Sequence, residues 1–561
     1  MNINTAIFRK KVEKLKTQLL GKMSFAKLQA LIETSVHMQG KYVVFLSICN
    51  KKERAKVLCC AGVTVETAWK GVCAQAEKYI EKKNCTVDWL KADIMCSSQE
   101  RSLASVIEEI ANDYNEYFRY GLSFDSEYRT AMIEAELNGN RVITYKKKNI
   151  ELEQVNKYIS KARNIELQEL PETVIVFDCI SAFCDDKNQV YSLYSGGYDC
   201  GRRVLERFDK ETALEVITTS SEYLAQQLDE NGKFEYGVYP VYHKYLPGYN
   251  ILRHASSIWS LVCACRITQN DAALKKVEQA LGYLKNEIMY IERAGETVAY
   301  LVEREKDEIK LGANAVSILV MSEFMDVTGS DAYKELCCAL GNGILSLFEH
   351  ETGEFTHVLN ATDLSVKEKM RTVYYDGEAV FALARLYGLT KDEKWLNAAA
   401  TAVDRFIRED YTKHRDHWVA YSVNELTKYL PKKEYLEFGL LNAQKNLNRI
   451  YNQKTTYHTY LELLCVTFEL YDRIIESGIE LDYLKKFDVD FFVKTLFHRA
   501  EFMLNGYCYP EYVMYLKYPD KILGAFFVRH DGYRIRIDDI QHFCGAYYSL
   551  YRNYEKLDKL R

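Results

Sequence analysis

From about residue 200 onward, apolar and polar positions alternate on the scale of whole helices. Segments that are apolar or small on nearly every side recur six times. They are NILRHASSIWSLVCACRIT from Asn250, KLGANAVSILVMSEFMDVTG from Lys310, YYDGEAVFALARLYGLT from Tyr374, DHWVAYSVNELTKYL from Asp416, YHTYLELLCVTFELYDRI from Tyr457 and DDIQHFCGAYYSLYRNY from Asp538. Between the first three lie more polar segments, DAALKKVEQALGYLKNEI, DAYKELCCALGNGILSLF and EKWLNAAATAVDRFIRED, with turns such as DENGKFEYGV and HETGEFTHV. A helix apolar all round faces protein on most sides, whereas a striped helix buries one face. The alternation predicts two concentric layers, and six pairs predict a closed α/α toroid. An open solenoid of irregular repeats is the alternative.

The first 140 residues read as α/β. KYVVFLSICN (Lys41–Asn50), ERAKVLCCAG and TVDWLKADIMC have strand patterns. TVETAWKGVCAQAEKYIEKK predicts a helix capped by Thr64 and anchored by Trp69. Residues 141–195 read as a transitional α/β segment: NRVITYKKKN and ETVIVFDCISAF are strand-like around a charged helix, and a glycine turn then leads into a helix. The expected organisation is an α/β unit over 1–140, this segment, and a toroid over 196–561, a mainly α chain.

Composition narrows the function. A hydrophobic content of 48% supplies ample core, and a net charge of −5 gives no bulk attraction to nucleic acid. The YKKKN stretch (Tyr145–Asn149) is too short for a basic patch and reads as a solvated turn. The sixteen cysteines sit in apolar runs such as VLCCAG and LVCACRI, with no CxxC pair, which predicts buried reduced thiols, a cytoplasmic protein and no structural zinc. The N-terminus lacks the apolar core of a signal peptide, and no stretch reads as the ~18 apolar residues of a membrane span. No glycine-rich phosphate loop, GxSxG or HExxH occurs, so no metal or other cofactor is expected.

The helical pattern resembles the six-hairpin (α/α)6 toroid superfamily, which includes glycoside hydrolases, polysaccharide lyases and sugar epimerases. The resemblance spans about residues 195–555 and rests on the alternating helices, the ETGEF-like turns and the polar openings of the inner helices. It implies a substrate cleft where the inner helices begin. The residues at those openings are Asn250, Arg253, His254, Asn314, Tyr374, Tyr375, Asp376, Glu378, His417, His458, Arg534, Arg536, Asp538, Asp539, Gln541 and His542.

In YRIRIDD, an extended backbone points Arg534, Arg536 and Asp538 to one face. A helix from Asp538 then sets Gln541 and His542 on its own face. This is either a binding wall or a buried Arg–Asp lock on the last hairpin. Glu378, between Gly377 and Ala379, would be desolvated and suited to general acid work, or paired with Arg253. Arg253, Arg534 and Arg536 could clamp a uronate or phosphosugar. His254 is either an acid/base group near neutral pH or a core histidine on a backbone carbonyl. Asp376 and Asp538 could equally be ordinary N-caps, and Glu511 in CYPEY offers one more carboxylate.

Three functions stay open. One is a glycoside hydrolase with Glu378 opposite Asp538 or Asp539. The second is a sugar epimerase or isomerase in which His254 and His542, or His417 and His458, abstract and return a proton. The third is a non-enzymatic scaffold in polysaccharide metabolism. Asn250, Tyr375, Asp376 and Gln541 would contact the sugar or oligosaccharide, neutral or anionic.

Overall fold

The computed structural model describes residues 3–35, 40–113, 116–144, 147–293 and 295–561; Tyr145 and Lys146 of the YKKKN stretch lie outside them. The chain opens with α1 (Ile3–Leu20) and α2 (Phe25–Ser35), followed by the hairpin β1 (Tyr42–Cys49) and β2 (Lys56–Gly62). Helix α3 (Val65–Lys83) starts where Thr64 accepts from Thr67 N–H. Then come β3 (Trp89–Ser102), α4 (Leu103–Asn112), β4 (Gly121–Ser123), α5 (Glu134–Gly139), the short ladder β5 (Ile143–Thr144) and β6 (Asn149–Ile150), α6 (Leu152–Arg163), β7 (Thr173–Cys184) and β8 (Val190–Leu193).

The sheet runs β2-β1-β3-β7-β4 with β8 beside β7, and every pairing is antiparallel. Its longest ladder joins β3 to β7, so the stretch expected to be transitional supplies an inner strand of the sheet. Strand alternation sorts β1 between two cores. Val44, Leu46 and Ile48 pack under α1–α3 with Phe8, Trp69 and Ile80. Val43 and Phe45 join the core of the helical ring. Tyr515 ties the two parts by donating to Ser47 Oγ at 2.8 Å.

The rest is a helical ring. Its elements are α7 (Lys210–Gln226), α8 (Ile251–Thr268), α9 (Asp271–Asn286), α10 (Leu311–Thr328), α11 (Lys334–Leu345), α12 (Tyr374–Thr390), α13 (Glu393–Arg408), α14 (His417–Leu426), α15 (Lys433–Gln444), short α16 (Leu447–Tyr451), α17 (Thr459–Glu476), α18 (Val489–Met503), short α19 (Pro510–Val513) and α20 (Ile537–Asp558). Helix α8 packs on α10, α10 on α12, α12 on α14, α14 on α17, α17 on α20, and α20 returns to α8. This closes an inner ring of six. Helices α7, α9, α11, α13, α15 and α18 lie against it from outside.

Burial separates the layers as the pattern predicts. Fourteen of the 18 residues of α8 and 15 of the 18 of α10 are buried, against five of 16 in α9. Helix α10 does have the length and apolar composition of a membrane span, which the sequence reading missed. Here 83% of it is buried within the ring. All sixteen cysteines are unpaired.

Candidate functional site

The first turns of the inner helices meet at one end of the ring. Strand Ile535–Arg536 pairs with Gly237–Tyr239 and delivers the start of α20 to this end. Arg536 donates from Nε and Nη2 to the two oxygens of Asp539, at 3.1 and 2.9 Å. Its Nη2 also lies 3.3 Å from Asp538. Arg253 Nε, from α8, lies 3.3 Å from Asp538 on the other side. Arg534 pairs with Asp531 and stands 3.7 Å from Asp539. Each arginine therefore already has a carboxylate. Burial pushes the Asp539 carboxyl up, but His458 Nε2, 3.6 Å away, and the Arg536 guanidinium outweigh it and hold the group well below the usual carboxylate range.

Behind this layer lies a cluster of imidazoles around one carboxyl. His542 Nδ1 is 2.7 Å from Glu462 Oε2, and His417 Nε2 is 3.7 Å from the same oxygen. The His458 ring stacks on His542 at 4.5 Å and 5°, and His417 meets His542 edge-on at 5.1 Å. Tyr421 donates to Glu462 Oε1 at 3.4 Å. Burial pushes Glu462 well above the ordinary range and both His417 and His542 well below theirs. Burial thus disfavours charge on all three groups. Among the described residues, neither ring nitrogen of His417 nor Nδ1 of His458 finds a hydrogen-bond partner.

Two more carboxyls share this environment. Asp416 caps α14 by accepting from Trp418 N–H at 2.8 Å, and burial, with Asp376 nearby, pushes it up to about 7. Glu378 is 2% exposed and raised well above the usual range by burial, against the pull of Arg253. Its Oε2 has no hydrogen-bond partner among the described residues and rests on Gly312 of α10. A Cβ at Gly312 would lie 1.9 Å from that oxygen, so only glycine leaves room for it.

His417, Glu462 and His542 could also hold a metal, since their donor atoms lie within 4.8 Å of one another. Donors on a tetrahedral zinc stand about 3.4 Å apart, from bonds of 2.0–2.2 Å. The 2.7 Å His542–Glu462 separation is instead that of a hydrogen bond.

Other predicted residues are placed apart from this cluster or locked beside it. His254 accepts at Nδ1 from Tyr249 at 2.5 Å and donates from Nε2 to the Ala280 carbonyl at 3.3 Å. Its ring packs on Phe234 and Tyr283, toward α9, and burial lowers it to about 3. This is the core-histidine arrangement, not a group at the mouth. Asp376 is fully enclosed, accepting from His357 Nε2 at 3.0 Å and from Tyr411 at 2.8 Å. His357 Nδ1 accepts from Arg371 N–H, which fixes the proton on Nε2. Tyr375 packs on the His357 ring. Asn250 caps α8 through Leu252 N–H, and Asn314 bonds Leu301 N–H and the Lys310 carbonyl. Glu511 forms a bidentate pair with Arg203, at 2.7 and 2.8 Å. Gln541 is buried beside His542, with neither amide atom bonded among the described residues. Glu462, Asp416 and Tyr421 escaped the sequence reading. Glu462 had a signal, a lone carboxylate four residues after His458 in an apolar run.

No family model matches the chain, and no curated protein matches it. Among solved structures it is similar to a cellobiose 2-epimerase from Bacillus thermoamylovorans, at 14% identity over 60% of this chain and 99% of that one, with a TM-score of 0.47. A D-mannose isomerase shares 14% identity over 62% and 100% of the two chains, with a TM-score of 0.45. An unsaturated glucuronyl hydrolase from a Bacillus species shares 10% over 60% and 96%, with a TM-score of 0.44. At these values the toroid rests on the closed order of inner helices described above.

Proposed function

We propose that this chain is a carbohydrate-acting enzyme that moves a proton at a carbon beside a sugar carbonyl, as an epimerase or isomerase does. The carrying observation is the His542–Glu462 dyad. With Glu462 ionised, Nδ1–H donates to it and Nε2 offers a lone pair. A proton taken from a C–H at Nε2 then shifts the Nδ1 proton onto Glu462. The dyad ends neutral, which matches the raised carboxyl and the lowered imidazole. His417 or His458 supplies the second proton-transfer group. Arg253, at the open side of the cluster with its side chain 29% exposed, can donate to the oxygen that gains charge.

The substrate is a neutral sugar. Arg253, Arg534 and Arg536 are each matched by Asp538, Asp539 or Asp531, so no uncompensated cation remains for a uronate or phosphate. A glycoside hydrolase is the second reading, favoured by Glu378, whose burial favours the protonated form that a general acid needs. Unbonded imidazole and amide atoms at His417, His458 and Gln541 weigh against a purely structural scaffold.

The test is incubation with glucose, mannose and cellobiose in D2O, followed by NMR. Deuterium at C2 and formation of the epimer or ketose are expected. Release of reducing ends from oligosaccharides with no C2 exchange would overturn the proton-transfer reading in favour of hydrolysis.

A further inference from the structure

The inner ring has a second end, where the inner helices finish, and the proton transfer above makes no use of it. A cavity of about 260 Å3 lies there, bounded by α8, α10, α12, α14, α17 and α20. Its floor is aromatic: Phe381 stacks on Tyr421 at 5.4 Å and 12°, and Trp259 meets both edge-on. Its carboxylates are occupied. Glu323 is held by Arg266 and Arg385, Glu425 by Arg385 and Lys428. Glu469 accepts from Asn424, Ser549 and Asn553.

One buried donor on the same walls is not occupied. Trp259 Nε1–H, on a side chain 7% exposed, has no acceptor among the described residues. Arg552, exposed at the rim, lies 5.5 Å over the Tyr548 ring and bonds that side chain, with no carboxylate within 4.0 Å among the described residues. A buried donor without an acceptor costs about 1–3 kcal/mol unless a ligand or water answers it. An unanswered donor above an aromatic floor, in walls where Glu323, Asp326, Glu425 and Glu469 face Arg266, Arg385, Lys428 and Arg552, suits a ring that offers C–H faces and hydroxyl oxygens.

We infer that this chamber is a second binding site, for a neutral polyol of monosaccharide size. Its volume lies just under the roughly 300 Å3 at which pockets for larger ligands begin. An occupant would stand against the back of the dyad. Tyr421 lines the chamber and donates to Glu462 Oε1. Gly545 lines it too, and a Cβ there would lie 3.3 Å from the same oxygen.

The experiment is a titration of the full chain with myo-inositol, a neutral polyol with no carbonyl and so no substrate for the proton transfer, followed by calorimetry and tryptophan emission. The variants are Ser549→Leu, which fills the chamber, Arg552→Ala at its rim, and Arg253→Ala at the opposite mouth. Saturable binding with an emission change is expected in wild type and Arg253→Ala, and at least tenfold weaker binding in both chamber variants. Binding lost in Arg253→Ala, or unchanged in Arg552→Ala, would overturn the inference, as would no saturable binding in any form. Because the probe has no carbonyl and cannot undergo the proton transfer, its failure to bind leaves the proton-transfer reading standing.

Discussion

Replacing Asp416 with asparagine is expected to flatten part of the dependence of stability on pH. Burial moves this carboxyl from an ordinary value of about 3.9 to about 7 in the folded chain. Between those values the folded state binds more protons than the unfolded state. Stability from this group is therefore complete below about pH 4 and is lost as pH rises toward 7. Each tenfold change in proton affinity is worth about 1.4 kcal/mol, so the whole step is about 4 kcal/mol. The asparagine oxygen can still accept from Trp418 N–H, which keeps the α14 cap. Urea unfolding followed by tryptophan emission at pH 4.5, 6 and 8 measures the effect. The variant is expected to gain on the wild type by a few kcal/mol between the first and last conditions. Parallel curves for the two proteins would refute the claim that Asp416 is held protonated by its surroundings.

Glu462→Gln keeps the shape of the dyad but cannot receive the relayed proton. C2 exchange is expected to fall by about 10²–10⁴, with sugar binding measured by calorimetry little changed. Asp376→Ala leaves His357 Nε2–H and the Tyr411 hydroxyl without a buried acceptor. A loss of about 3–5 kcal/mol in urea unfolding is expected, with exchange per folded molecule unaffected.

The inner helices were legible because each is apolar on nearly all sides and opens on polar residues, a local property of the chain. Lys310 and Tyr374 already marked where α10 and α12 begin. What each polar residue bonds was not local. His357, which locks Asp376, sits in a loop 19 residues earlier, and Ala280, which receives the His254 proton, belongs to an outer helix. The same limit hid β7. Its pairing with β3 spans some eighty residues, and nothing within ETVIVFDCISAF tells an inner strand from a connecting one. Glu462 differed, since a carboxylate inside YLELLCV conflicts with its neighbours, and such conflicts tend to mark function.

The contact of α20 with α8 has a consequence for how the chain is made. Helix α20 closes a ring whose first inner helix was synthesised nearly three hundred residues earlier. Until Ile537 and its successors emerge, the flanks of α8 and α17 that α20 covers stay bare, and Gly237–Tyr239, already paired with Lys244–Tyr245 on one edge, keeps its other edge open for Ile535 and Arg536. Contacts so distant in sequence form slowly and leave apolar surface exposed meanwhile. A nascent or truncated chain lacking this final helix is thus an open horseshoe with two adhesive ends, dependent on chaperones until the circle shuts.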